Sequence, residues 1–423
     1  MDKWTRAHWE LFAVVSASFF LDGVLFSLVP ATVYLLPGLA DYAVYIFAAN
    51  SLAFMAGALA LGALTDRVGR RLGLIVSLSI YTAAAFAFVA LYWAGWINLA
   101  TALLVTSLID FGVGGEVGPA YAAIAELSPP SLRGRAIMLA TNFWNIGAAV
   151  IAGLSLWYRG LAENPDTVVL NTFYSALALA VVVFFARLHL PESPRWLAAA
   201  GRVAEAKALA KRLLGTEEVN PATLEIGLGE AVRRYLFRLS VLITVTATQL
   251  VTYNIAAYYS PYAEGFAYGP ESAPVVIAVA NLGASLGAFL FIPLIDASRR
   301  AALLSAFLGG FATAVGLAVV HGAPQWAYLA VLFFNLVFSE WAWASLSALE
   351  SELFPTGVRS SVVGLVTASA WLINTAAVFT EGVLTVGQFL ALNVAIWLIG
   401  AMAAATWALR GVESAKRRLE ELI

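Results

Sequence analysis

Long apolar runs, each broken by a short polar loop, repeat along almost the whole chain. Stretches of roughly 20 or more mainly apolar residues, the length a helix needs to cross the hydrocarbon core of a bilayer, fall at Trp9–Leu35, Tyr42–Leu64, Leu72–Trp93, Ile97–Leu127, Ala136–Trp157 and Val168–Leu188. After a polar stretch, Pro191–Tyr235, they resume at Leu236–Tyr259, Ala273–Ile295, Ala301–His321, Trp326–Leu353, Ser361–Val383 and Phe389–Leu409. The pattern predicts an all-α integral membrane protein of twelve transmembrane helices in two bundles, residues 1–190 and 236–423, joined by a linker at 191–235. Within that linker, expected on the cytoplasmic face, Val203–Leu214 has Ala, Glu, Lys, Arg and Leu at helical spacing, which predicts short amphipathic helices.

Composition agrees. Of 423 residues, 61% are hydrophobic and 12% charged, so a soluble domain with an ordinary polar surface is excluded. The first apolar run has no small-residue cleavage site after a short core and reads as a retained span. Lys and Arg then set an orientation, because cytoplasmic loops hold the excess of positive charge. Arg67, Arg70, Arg71, Arg133, Arg135, Arg195, Arg233, Arg234, Arg299, Arg300 and Arg359 fall in loops on one side, together with Lys3, Arg6, Lys416, Arg417 and Arg418 at the ends. Only Arg159 breaks the pattern. Both termini are therefore expected in the cytoplasm, with the protein multi-pass in the cell membrane and working as a monomer in the lipid bilayer. A net charge of −2, with no basic patch, gives no case for nucleic acid. The absence of Cys, three scattered His and the lack of a Gly-x4-Gly-Lys-Ser/Thr loop leave no reactive constellation for an enzyme and no expected metal or cofactor.

The shortest loop is the most informative. Gly62-Ala-Leu-Thr-Asp66-Arg67-Val-Gly69-Arg70-Arg71 sets opposite charges between the second and third spans; Gly69 permits a close turn and Asp66 can pair with the arginines. The chain also repeats itself. Glu126-Leu-Ser-Pro-Pro-Ser-Leu-Arg133 and Glu352-Leu-Phe-Pro-Thr-Gly-Val-Arg359 share Glu-Leu-x-Pro-x-x-x-Arg after the fourth span of each half, and Asp296-Ala-Ser-Arg299-Arg300 sits where Asp66 to Arg71 sits in the first half. Two related six-helix halves are the simplest explanation. The Gly-x-x-x-Asp-Arg-x-Gly-Arg-Arg loop resembles that of the major facilitator superfamily, a family of secondary transporters. Pro191-Glu192-Ser-Pro-Arg195 resembles the signature of its sugar porter branch and of the organic-ion and nicotinate relatives. On that resemblance Asp66, Arg67, Gly69, Arg70, Glu126, Arg133, Glu192, Arg195, Glu352 and Arg359 form a cytoplasmic gate, whose carboxylate–guanidinium pairs latch the two bundles together when that end closes.

Resemblance extends to a binding site. Gln249-Leu-Val-Thr-Tyr253-Asn254 followed by Tyr258-Tyr-Ser-Pro261 is similar to the sugar porter seventh span, and Trp371-Leu-Ile-Asn374 to its eleventh. Gln249, Tyr253, Asn254, Tyr258, Trp371, Asn374 and Asn142 are thus the expected substrate-binding residues. Amides suit hydroxyls because each both donates and accepts. Gln249 and Asn254 are splayed by roughly 140° in a regular helix, so both face one cavity only if the helix bends or unwinds locally. Several positions depart from the sugar porters: Thr141 replaces a glutamine, Ser347 a cavity tryptophan and Leu108 an arginine, while Gly114-Gly115-Glu116 looks like the aromatic-acid, nicotinate and organic-ion carriers.

Ionisable residues inside spans are functional candidates by default. Asp22, Glu116 and Glu340 are the expected proton-coupling or cation-binding acids, with Asp110 and Glu381 also within spans. No Lys or Arg is expected at similar depth, so the pathway should be acidic. A buried carboxylate without a cation avoids its desolvation cost by taking a proton, which suits proton coupling, or pairs with a cationic substrate. The expected function is a secondary transporter moving a small polar organic solute by alternating access, foremost a proton-coupled sugar symporter; an organic-ion carrier is the alternative, and a non-transporting sensor a more distant one.

Overall fold

The computed structural model describes residues 4–422 apart from 5, 37, 129–131, 163, 189, 215–218, 220–225, 382 and 418. Among the described residues fifteen α-helices follow in order. The first six, α1 (Arg6–Leu28), α2 (Ala43–Val68), α3 (Arg70–Trp93), α4 (Leu99–Leu127), α5 (Arg133–Leu161) and α6 (Pro165–Arg187), form one bundle. Three short helices, α7 (Pro194–Ala199), α8 (Val203–Leu214) and α9 (Leu228–Arg234), occupy the linker. The second bundle is α10 (Leu236–Asn254), α11 (Ala273–Ala297), α12 (Arg299–Val320), α13 (Gln325–Glu352), α14 (Arg359–Glu381) and α15 (Val386–Arg410). Twelve of these helices are long and apolar enough to cross a membrane. Within α8, Ala206 and Ala210 are buried one turn apart while Glu205, Lys207 and Lys211 are exposed, so the helix lies with its small-residue face down.

Small residues set how closely the helices approach. Gly23 of α1 abuts the Trp144 backbone of α5 and Gly147 of α5 abuts the Phe20 backbone of α1; Gly283 of α11 meets Phe333 of α13 in the other bundle. Across the junction α2 packs on α14, and α5 packs on α11 and α13. The end carrying Asp66 and Asp296 is called the basic end below, and the opposite one the far end.

Between α2 and α3 the backbone turns in a single residue. Gly69 has φ +104° and ψ 160°, a region that side chains other than glycine's enter only under strain. The Glu192 carboxylate packs directly where a Cβ would stand. It accepts hydrogen bonds from the backbone N–H of Arg70 at 2.9 Å and Arg71 at 3.3 Å, capping the exposed donors of α3. Gly69→Ala is expected to cost about 1–3 kcal/mol, seen as earlier thermal unfolding of detergent-solubilised protein; an unchanged melting profile would refute the strain argument.

Candidate functional site

A cavity of about 50 Å³ lies between the bundles. Pockets that hold small molecules run to roughly 300 Å³ and more, so the space must widen before it can hold a solute. Gln249 and Tyr253, one turn apart on α10, line it, with Trp371 of α14 and Glu340 and Trp343 of α13. From the first bundle come Tyr121 of α4 and Thr141, Trp144 and Asn145 of α5. Gln249 Nε2 donates to Ser339 Oγ at 3.0 Å. Asn145 Nδ2 reaches across the junction to Glu340 Oε2 at 2.6 Å and also donates to Asn142 Oδ1 at 3.3 Å.

Four of the expected binding residues stand outside this wall. Asn254 Nδ2 donates to Asn374 Oδ1 at 3.2 Å, and Asn374 Nδ2 to Ser51 Oγ at 3.0 Å and Tyr259 OH at 2.8 Å. Tyr258 OH bonds Ser27 Oγ of α1 at 2.9 Å and Tyr253 OH at 3.1 Å. Asn142 Nδ2 donates to the Ser285 carbonyl of α11 at 3.2 Å. The reason is periodicity. Helix α10 stays regular through Asn254, and only Ile255–Tyr259 widens into a π-turn, followed by a 3₁₀ turn at Ser260–Tyr262. The break comes too late to turn Asn254 towards Gln249, so Tyr253 takes that face. On α5 the same period selects Thr141, Trp144 and Asn145 and turns Asn142 towards α11. Asn145, four residues on from Thr141, is a cavity residue that the sequence reading missed.

The buried acids of the first bundle lie away from the cavity, and one of them has a cation. Arg187, fully buried at the end of α6, forms an ion pair with Glu116 Oε1, while Nε donates to Ser18 Oγ at 2.9 Å and Nη1 to the Leu74 carbonyl at 2.7 Å. Tyr81 OH donates to Glu116 Oε2 at 3.2 Å. This overturns the expectation that no Lys or Arg lies at the depth of the acids. Side chains lean towards the N-terminus of their helix, so an arginine at the last position of α6 folds back into the bundle instead of out to water. Asp22, one turn beyond Ser18 on α1, is fully buried, and neither of its carboxylate oxygens has a hydrogen-bond partner among the described residues. Glu350 of α13, also buried, accepts from Thr246 Oγ1 at 2.6 Å. The side chains of Glu126 and Glu381 lie outside the described residues.

At the basic end, among the described residues, the bundles are tied by two related aspartates and by a shared glutamate. Asp66 of α2 pairs with Arg70 Nη1 at 2.9 Å and crosses to α14, where Oδ2 accepts from Ser361 N at 2.8 Å and Ser361 Oγ at 2.5 Å. Asp296 of α11 accepts from Arg135 of α5 at 2.7 and 2.5 Å. Glu352 receives Arg299 at 3.1 Å from its own bundle, Arg133 at 3.8 Å from the other, and Ser414 Oγ at 2.7 Å. Arg359 is buried and donates to the Phe354 carbonyl at 3.0 Å; Arg67 is exposed and Arg195 half-buried. Glu413 repeats the part of Glu192, capping α12 through the N–H of Arg299 at 2.9 Å and accepting from Ser298 Oγ at 2.5 Å. Burial acts to raise its carboxyl, but bonds from Ser298 and the amides of Ala415, Arg299 and Arg300 outweigh it and hold it below the ordinary value. Glu413-Ser414 echoes Glu192-Ser193 after the sixth span of each half, a signal present in the sequence.

The far end is closed by neutral groups: the Ser27–Tyr258 bond, Tyr262 OH donating to the Pro30 carbonyl at 2.6 Å, and Phe47 stacked on Tyr259 at 5.5 Å. Arg159 Nη1 donates there to the Glu271 carbonyl at 3.3 Å.

A family model described as sugar (and other) transporter matches residues 36–422. The chain is 30% identical over 331 residues to the inner membrane metabolite transport protein YgcS of Escherichia coli, covering 75% of this chain and 70% of that protein. It is 26% identical over 318 residues to the D-xylose-proton symporter of the same organism, 68% of this chain but only 62% of the symporter. Among solved structures, the proton:xylose symporter XylE bound to 6-bromo-6-deoxy-D-glucose superposes with a TM-score of 0.82 at 18% identity, over 98% of each chain.

Proposed function

The chain belongs to the sugar (and other) transporter family of the major facilitator superfamily, and from that premise we propose that it is a proton-coupled symporter of a monosaccharide-like solute, working by alternating access. The observation that supports this best is the cavity itself, an amide, hydroxyl and tryptophan-lined space at the bundle junction, closed towards each end by a different set of bonds. Apolar faces of tryptophan stack on a sugar ring while Gln249 and Asn145 meet its hydroxyls. Asp22 is the coupling site in this reading, because a buried carboxylate with no hydrogen-bond donor is stable in the membrane when protonated. Glu116, the ion-pair partner of Arg187, is in this reading the second acid of the coupling group rather than its first site. The excess of arginine at the basic end supports a cytoplasmic location for that end and for both termini. The cell membrane is the proposed site of action and a monomer the proposed working unit.

Reconstitution in liposomes tests the reading. Labelled D-xylose or a hexose is expected to accumulate under an acid-outside pH gradient and to leak back when a protonophore is added. Asp22→Asn should abolish accumulation and leave sugar counterflow intact, since exchange needs the moving bundles but no proton. Accumulation by Asp22→Asn equal to wild type would remove Asp22 from coupling; sugar binding without counterflow would indicate a sensor.

A further inference from the structure

We propose that the preferred solute bears a protonated amine beside its hydroxyl groups, as an amino sugar or amino polyol does; this rests on the transport reading above and refines its substrate class. Among the described residues, two acceptors in the cavity wall, Gln249 Oε1 and Glu340 Oε1, have no donor. Gln249 spends its Nε2 on Ser339, which leaves Oε1 buried and unpartnered, and Glu340 receives Asn145 at one oxygen while Oε1 stays buried and unpartnered. Both residues are more than nine-tenths buried and both line the cavity. No Lys, Arg or His is among the lining residues. The inner surface therefore asks its occupant for hydrogen-bond donors, and one of the two acceptors belongs to a carboxylate.

A neutral sugar satisfies half of this demand. Its hydroxyl can donate to Gln249 Oε1, but Glu340 then has no opposite charge beside it and avoids the cost of ionising only by holding a proton of its own, which leaves it without a charge to use in binding. An ammonium has three donors and no acceptor, so it completes Glu340 and adds the missing charge. Trp144, Trp343 and Trp371 stand around the same space, and their ring faces attract a desolvated cation. A carboxylate or phosphate solute meets the opposite field and is disfavoured.

Equilibrium binding to the full-length purified chain decides this, with D-glucosamine, D-glucose, N-acetyl-D-glucosamine and tetramethylammonium as probes at a pH where the amine is protonated. Glucosamine is expected to bind about tenfold or more tighter than glucose, as a charge-assisted bond allows. Its N-acetyl derivative, with the same ring and no charge, should lose that advantage, and Glu340→Gln should bring the glucosamine-to-glucose ratio to near one. The comparison of probes on the wild-type chain stands even where the variant fails to fold. Glucose binding as tightly as glucosamine overturns the proposal and leaves the sugar reading in place, with Glu340 then a proton carrier. Binding of tetramethylammonium but of no hexose keeps the cation requirement and removes the sugar reading. Failure of all four probes removes both.

Discussion

Arg187→Leu is expected to destabilise the protein by about 3–5 kcal/mol, because it strands the Glu116 carboxylate in the middle of a bundle with its cation gone. The guanidinium also bonds Ser18 and the Leu74 carbonyl, so its removal takes away the polar ties it makes from α6 to α1, α3 and α4 together. Thermal or denaturant unfolding in detergent reads the loss. The double variant Arg187→Leu/Glu116→Leu should recover most of it, since replacing a whole buried pair with apolar groups is often neutral. A single variant as stable as wild type would show that the pair is not what holds the bundle. The double variant also separates stability from transport: its Asp22 keeps its place on α1, one turn from the Ser18 that Arg187 bonds in the wild type, so proton-driven accumulation in that background reports whether coupling needs the cation.

Asp66→Ala combined with Asp296→Ala is expected to open the basic end. Asp66 holds the first turn of α14 from the opposite bundle, through bonds to a charged group worth about 1.5–3 kcal/mol each, and Asp296 holds the half-exposed Arg135 with a solvent-screened pair worth about 1 kcal/mol or less. Every 1.4 kcal/mol is tenfold in a population. The chain has no cysteine, which makes the readout direct. A cysteine introduced at Ser347, which is buried against Tyr121 on the basic-end side of the cavity, should react with a water-soluble maleimide at least about tenfold faster in the double variant than alone. Equal labelling rates would mean that other contacts keep this end shut.

The twelve spans were legible because bilayer thickness dictates the length of an apolar run, and nothing else in the chain competes with that signal. The loop at Gly69 was legible because a one-residue turn leaves few choices of residue. Side-chain direction was harder to read. Gln249, Tyr253, Trp371 and Glu340 line the cavity, but Asn254, Asn374, Tyr258 and Asn142 bond neighbouring helices. Each of the α10 and α5 misses is one position from a residue that does line it, and one position is 100° of helix. Arg187 was invisible because a residue at a span's end reads as a boundary charge, and only the backward lean of its side chain places it among the acids. Glu413 was overlooked because the second copy of the Glu-Ser element had lost the prolines that marked the first.

The two closures differ in kind: aspartate, glutamate and arginine at the basic end, hydroxyls, carbonyls and aromatic rings at the far end. Dissolved ions therefore act on them unequally. Arg135 is 45% exposed, and at 1 M salt the screening length falls to about 3 Å, so concentrated electrolyte weakens the Arg135–Asp296 tie, while the buried pairs of Asp66 and Glu352 and the far end, built without net charges apart from Arg159 on a carbonyl, are left nearly as they were. Ionic strength thus becomes a one-sided lever on the conformational equilibrium, pushing the molecule towards the form open at its arginine-rich end.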